Sequence, residues 1–438
     1  RIESEQAYAQ LDASLAALDA LPLFREVRGV QIVQVVAGRF APAPRPWWPN
    51  AVLFALTIAS LLYTGAGIAL GEALLTQPAR QLTELWRGWN LYMARNGLAW
   101  RVEHHLERNP RGSLLFARSY NVLADMQVTS AGEPYRAMLL ARADRTNLVE
   151  AFFGQTSIEH DGALVITDRI AEFVTAQMLP MFAREPALER TGQQRVFAAH
   201  VRKEAARMLT PETIDALEQG ASKRDRLVAA AAALRERKGP GSTVIIDEVP
   251  WDGLSERALR MVSRAAEKNA RKNRQRLTRA DADFLARTSR ELSSDEALQH
   301  ALGRAAAWLA QAVVVHEVRH LADDRHAEPG GRTPPCALCP PDMSANERAE
   351  LRAYLATFGT EGLGYLALMQ ACGSGAHGRG PSGAALDWVL SKLAPSGCDG
   401  PLPDDLYARA RATEALLFGS NDAVELPEGF PTELPIPR

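Results

Sequence analysis

The 438-residue chain is poor in cysteine, with four in all, and only 7% of its residues are aromatic. Four cysteines are too few for a disulfide scaffold. Neither sign of charge is in excess: 50 Lys and Arg stand against 52 Asp and Glu. The resulting net charge of −2 removes the electrostatic case for a nucleic-acid partner. No Gly-rich phosphate loop follows any strand-like segment, so a nucleotide site has no support. Cys336-Ala337-Leu338-Cys339 lacks the second half of a CxxC…CxxC ribbon, because Cys372 and Cys398 stand singly. The 47% hydrophobic and 23% charged residues are globular composition, and the length suits two or three domains. Alanine and arginine are abundant and lysine is scarce, the usage of a GC-rich bacterial genome. The chain opens on Arg1 rather than Met, which leaves room for an upstream signal peptide or span.

What is present divides into five stretches. Residues 1–50 form an N-terminal extramembrane segment, with helical periodicity over 3–20 and strand-like alternation over 29–36. Ala51 to Gly71 is a run of 21 residues without a charge, close to the ~20 that cross a bilayer as a helix, so 51–75 is read as a transmembrane helix. Trp47, Trp48, Trp86 and Trp89 flank it where interfacial aromatics are favoured. Residues 80–250 read as mixed α/β, with strands at Tyr135–Ala143, Ala163–Thr167 and Thr243–Val249 and helices over 168–183, 194–208 and 222–238. Residues 251–424 read as helical, and 425–438, with four prolines, as a loose tail. Within the helical part, Arg257–Arg279 holds nine Lys and Arg against one Glu, a solvated face or a contact for anionic lipid. The fold class expected is therefore α+β: a mainly helical C-terminal domain after a mixed α/β region and an N-terminal transmembrane helix.

The chemistry concentrates on one helix. Ser293-Ser294-Asp295-Glu296 has capping-box spacing, and the sequence then runs without proline into His316-Glu317-Val318-Arg319-His320. Trp308, Leu309, Ala312, Val313, His316 and His320 share one helical face, so both imidazoles project from an apolar, inward stripe. Histidines at i and i+4 are one turn apart and can bind one Zn²⁺, while Glu317 beside them reaches a water rather than the metal. A catalytic zinc site takes three protein ligands and keeps one position open. His326 has the spacing of HExxHxxGxxH, but Asp323 stands where the glycine would let the chain leave the helix. Glu347 and Glu350, one turn apart on the next helix (344–358), can also face back.

Here residues 310–358 resemble the gluzincin group of HExxH zinc metallopeptidases, in which a Glu on a following helix completes the site. Glu350-Leu351-Arg352-Ala353 is similar to the ExxA pattern of several such families, whereas Asn346-Glu347 resembles the NE of the thermolysin type. The resemblance implies a zincin-like fold for the C-terminal domain and Glu350 as third ligand, with Glu347 and His326 as alternatives. It further implies Glu317 as general base and hydrolysis of peptide bonds. Asp323 and Tyr354 are candidates for supporting a ligand or an oxyanion. Cys336, Cys339, Cys372 and Cys398 can hold a structural metal or form disulfides. The expected protein is thus a membrane-anchored zinc peptidase of the bacterial inner membrane, with protein or peptide substrates and membrane lipid as partners. A non-catalytic membrane-bound sensor or assembly factor with a metal-binding domain is the runner-up. Oligomeric state and the side of the membrane are left open.

Overall fold

The computed structural model describes residues 4–27, 30–37, 79–109, 112–143, 153–157, 162–184, 192–238, 287, 290–291, 294–325, 336, 338–373, 380–419 and 422–436. The chain divides into two units, Arg1–Pro78 and Ala79–Arg438. In the first, helix α1 (Ser4–Ala16) precedes an antiparallel hairpin of β1 (Ala20–Val27) and β2 (Val30–Ala37). The helix expected over 3–20 stops early, before Asp19 turns left-handed at φ 47° and the chain enters β1.

The second unit starts with α2 (Ala79–Arg95), followed by β3 (Trp100–Asn109), β4 (Gly112–Ser130), β5 (Glu133–Arg142), β6 (Gly154–Ser157) and β7 (Gly162–Ile166). The strands assemble in the order β3-β4-β5-β7-β6. Only the β5–β7 pairing is parallel along this path. Ala131 and Gly132, at φ 51° and 79°, make the two-residue turn between β4 and β5, a conformation that glycine tolerates without strain. Ala137–Leu140 and Ala163–Ile166 are buried residue after residue, as in strands covered on both faces. After β7 the chain turns directly into α3 (Thr167–Phe173), which widens into a π turn over Val174–Met178 and then tightens into a 3₁₀ turn ending at Phe182. Helices α4 (Gly192–Met208) and α5 (Pro211–Lys238) follow.

The 30-residue α6 (Glu296–Arg325) is the centre of the unit. Asp295, rather than Ser293, caps it: its Oδ1 accepts the Leu298 N–H at 3.1 Å. Being rich in Ala, Leu and Val, α6 is buried on most of its circumference, against β5, β6 and β7 on one side and α5 and α7 (Ala345–Phe358) on others. Helices α8 (Gly364–Gly373), α9 (Gly380–Leu393) and α10 (Leu406–Phe418) complete the helical layer, and β8 (Val424–Glu425) returns to pair with β4.

Several expectations are corrected. The α/β region and the helical region are not successive domains: α6 packs on the sheet, and one mixed α/β unit covers both. Their shared core is invisible to a reading that scores each stretch by its own periodicity. The stretch from 425 is not a loose tail, since Phe430 and Leu434 are buried and the Leu434 N–H donates to the Gly303 carbonyl at 3.0 Å. The transmembrane helix expected over 51–75 lies outside the described residues, as do Thr243–Val249 and the basic run Arg257–Arg279. Among the described residues, no helix is long and apolar enough to cross a membrane. Even the longest, α6, carries Arg304, Glu317, Arg319 and Asp323 within it. Among the described residues, membrane anchoring and an inner-membrane location are therefore not supported.

Candidate metal centre

Helical geometry stacks His316 and His320 one turn apart on α6, with their Nε2 atoms 3.2 Å from each other. Helix α7 lies alongside and brings a carboxylate to the pair: Glu350 Oε2 is 3.5 Å from His316 Nε2, and Oε1 is 3.8 Å from His320 Nε2. Three donors at about 2.0–2.1 Å from a tetrahedral ion stand roughly 3.4 Å apart. The spacings, which use a different Glu350 oxygen for each imidazole, lie close to that edge; one ligand atom from each residue falls within 4.8 Å of the others, and the group could hold a metal ion. The side chains of the three are 17–24% exposed, so the donors face an approachable surface rather than a sealed core. The chemistry of the set, two imidazoles and one carboxylate, suits a borderline divalent metal.

Of the alternative third ligands, Glu347 is engaged elsewhere and His326 lies outside the described residues. Glu347 is committed to the α7 capping box: its Oε2 accepts the Ser344 N–H at 2.6 Å, and Ser344 Oγ accepts the Glu347 N–H at 3.3 Å. His326 lies outside the described residues, but α6 continues unbroken through Asp323 to Arg325, so the chain does not leave the helix where the three-histidine spacing requires. Asp323 accepts from Arg352 at 2.9 Å. Tyr354 packs its ring 5.1 Å from that of His316. Burial, with Glu350 and Glu317 nearby, pushes its phenol well above the ordinary value and keeps it a donor. The cysteines form two disulfides, Cys336–Cys339 and Cys372–Cys398, and are therefore not metal ligands.

Sequence reasoning missed three residues. Thr156 of β6 donates its hydroxyl to Glu317 Oε2 at 2.7 Å and lies 2.9 Å from the Glu317 carbonyl. Gly154, two residues earlier, faces the same carboxylate so closely that a Cβ there would stand 2.6 Å from Glu317 Oε1. Ser382, in the first turn of α9, donates to Glu350. None carries a local motif; only the fold brings β6 and α9 to α6 and α7. Comparison with protein-family models, curated proteins and solved structures gives no match. The gluzincin resemblance therefore rests on the residues themselves.

The two carboxylates are driven apart. Burial raises the Glu317 carboxyl to about 7, although His316 and the Thr156 hydroxyl favour its ionised form. Burial would raise Glu350 too, but His316, His320 and Ser382 hold it at about 2. Burial lowers His320 to about 4, assisted by His316. His316 is also pulled down by burial, yet Glu350 more than offsets this and leaves it above its ordinary value. Glu350 is thus a permanent anion beside two imidazoles, while Glu317 exchanges a proton near neutrality.

Proposed function

We propose that this protein is a zinc-dependent peptidase, with His316, His320 and Glu350 as ligands and Glu317 as the proton carrier. The observation that carries the reading is the pairing of a three-donor group at ligand spacing with a separate buried carboxyl tuned to about 7. The N,N,O donor set beside a separate carboxyl supports zinc as the metal. When bound, it supplies Lewis acidity toward a water and a carbonyl oxygen.

The chain's own groups do the rest. Glu317 takes a proton from the attacking water and returns it to the leaving amine. Thr156 fixes one carboxyl oxygen of Glu317, which sets the plane of the other. Tyr354, a protonated donor beside His316, is placed to meet negative charge developing on a carbonyl oxygen.

A peptide substrate is favoured by β6. Among the described residues this strand pairs only with β7, in the register Gly154↔Val165 to Ser157↔Gly162. The Ile166 N–H donates to Phe153, so the alternation of an antiparallel ladder turns the backbone groups of Gly154 and Thr156 outward. An extended peptide added there runs past Glu317.

The test compares zinc content and cleavage of a quenched-fluorescence peptide library between wild type and His316→Ala/His320→Ala. About one zinc per chain and measurable cleavage are expected in the wild type, with both lost in the variant. Zinc without cleavage of any peptide would leave a metal-binding protein that is not a peptidase. Equal zinc in both proteins would end the metal reading.

A further inference from the structure

Beside the metal-binding group, the same two helices carry a second polar group that the chemistry above does not use. Arg319 sits between the two histidines in sequence, Asp323 one turn further along α6, and Arg352 two residues after Glu350 on α7. Glu414 of α10 and Asp422 complete the group. Arg319, Asp323, Arg352 and Glu414 are all buried. Arg352 Nη1 donates to Asp323 Oδ1 at 2.9 Å, and Arg319 Nε approaches the same oxygen to 3.4 Å. Arg319 Nη1 and Arg352 Nη2 each stand 3.8 Å from Asp422 Oδ2. Arg352 Nε faces Glu414 Oε1 at 3.9 Å. Each ligand-bearing helix thus sends one guanidinium to a shared carboxylate oxygen.

Such an array is a poor way to gain stability alone. Burying each ion costs several kcal/mol, and apolar residues of similar volume often hold a core as well or better. What directed ion pairs add is geometry, because the planar guanidinium and the carboxylate bond along fixed directions. The metal centre has a specific need for this. His316 and His320 are held relative to each other by one helix, whereas Glu350 reaches them only through the register of α7 on α6. A slip of one residue moves a side chain about 1.5 Å along a helix axis, far more than the ~0.2 Å tolerance of a metal–ligand bond.

We propose that Arg352, through Asp323, is a positioning residue of the metal centre: the pair sets the register of α7 on α6 and so brings Glu350 to His316 and His320. The proposal rests on the metal-site reading given above.

The experiment compares wild type, Arg352→Lys, Arg352→Met and the double variant Asp323→Leu/Arg352→Met. Zinc affinity is measured by chelator competition and ligand geometry by the visible spectrum of the Co²⁺-loaded protein, with thermal unfolding as the control. Arg352→Met is expected to weaken zinc binding about 10- to 100-fold and to alter the cobalt spectrum. Arg352→Lys, which keeps the charge but not the fork, should recover only part of the loss. The double variant, with an apolar pair in place of the ions, should regain thermal stability while keeping the weakened affinity. Affinity restored together with stability would show a purely structural role and overturn the proposal, as would wild-type affinity and spectrum in Arg352→Met. If both Met-bearing variants fail to fold, Arg352→Lys decides, and unchanged zinc affinity there overturns it. A wild type that binds no zinc at His316 and His320 refutes the metal reading and this one together. Zinc in the wild type with affinity unmoved in the variants refutes only this one.

Discussion

At the metal centre, His316, His320 and Glu350 are 17–24% exposed, and their surroundings hold Glu350 at about 2 and His320 at about 4. In the neighbouring ion group of the same helices, Arg319 and Asp323 are each 2% exposed at the side chain and face each other at 3.4 Å. The first group stays near solvent, where a ligand and a water can be exchanged. The second is withdrawn from solvent, where charge is strong but immobile. The contrast divides the work between a group that reacts and a group that aligns it.

The largest effect is expected from Glu317→Gln. It removes the proton carrier, and hydrolysis should fall by about 10²–10⁴-fold while zinc content stays that of the wild type. Glu350→Ala should instead lose the metal, since it removes one of three ligands. If Glu317→Gln retains full peptidase activity, the metal-facing side has been read wrongly.

A smaller effect is expected in the neighbouring ion group, from Glu414. Burial pushes its carboxyl up to about 7, against the pull of Arg319 and Arg352. The folded chain therefore holds this proton more tightly than the unfolded chain, whose carboxyl titrates near 4.5. The contribution to stability is complete below pH ~4.5 and is lost as pH rises through ~7, with a span of about 3 kcal/mol. Thermal unfolding of wild type and Glu414→Gln across pH 5 to 8 checks the sign: the variant's profile should be flatter, and a wild type whose stability rises with pH over that window would contradict it.

The smallest effect is expected from Thr156→Val, which deletes the hydroxyl on Glu317 at 2.7 Å. A hydrogen bond to a charged group is worth about 1.5–3 kcal/mol, so kcat should drop on the order of tenfold to a hundredfold with zinc content unchanged. Because that hydroxyl favours ionised Glu317, the acid limb of the pH–rate profile should also move to higher pH. An unchanged limb would mean that Thr156 serves the backbone of α6 and not its chemistry.

How far the sequence discloses these features depends on the distance over which each is encoded. His316, Glu317 and His320 are legible because a helix converts spacing in sequence into adjacency in space. Choosing Glu350 over Glu347 takes one further observation, the Ser344–Glu347 capping box, which the residues Ser344 and Glu347 do announce at the right interval. Thr156 lies 161 residues from the carboxylate it serves, and no local pattern marks it. The strand β1 was hidden because its alternation, Ala20–Val27, begins directly after a helical stretch. The proline-rich C-terminal stretch misled for a related reason: prolines exclude regular helix but not burial, and Phe430 and Leu434 are anchored in spite of them.

That returning segment also bears on when the fold can form. Strand β4 and Gly303 leave the ribosome long before their partners, Val424–Glu425 and Leu434, have been translated. Until then the Gly303 carbonyl lacks its second donor, beyond its own helix, and Thr129 and Ser130 of β4 lack their β8 partners. The second unit is therefore finished late in synthesis, and a stall anywhere between residues 303 and 424 leaves the helix that carries His316 and His320 without the segment that closes over its N-terminal half.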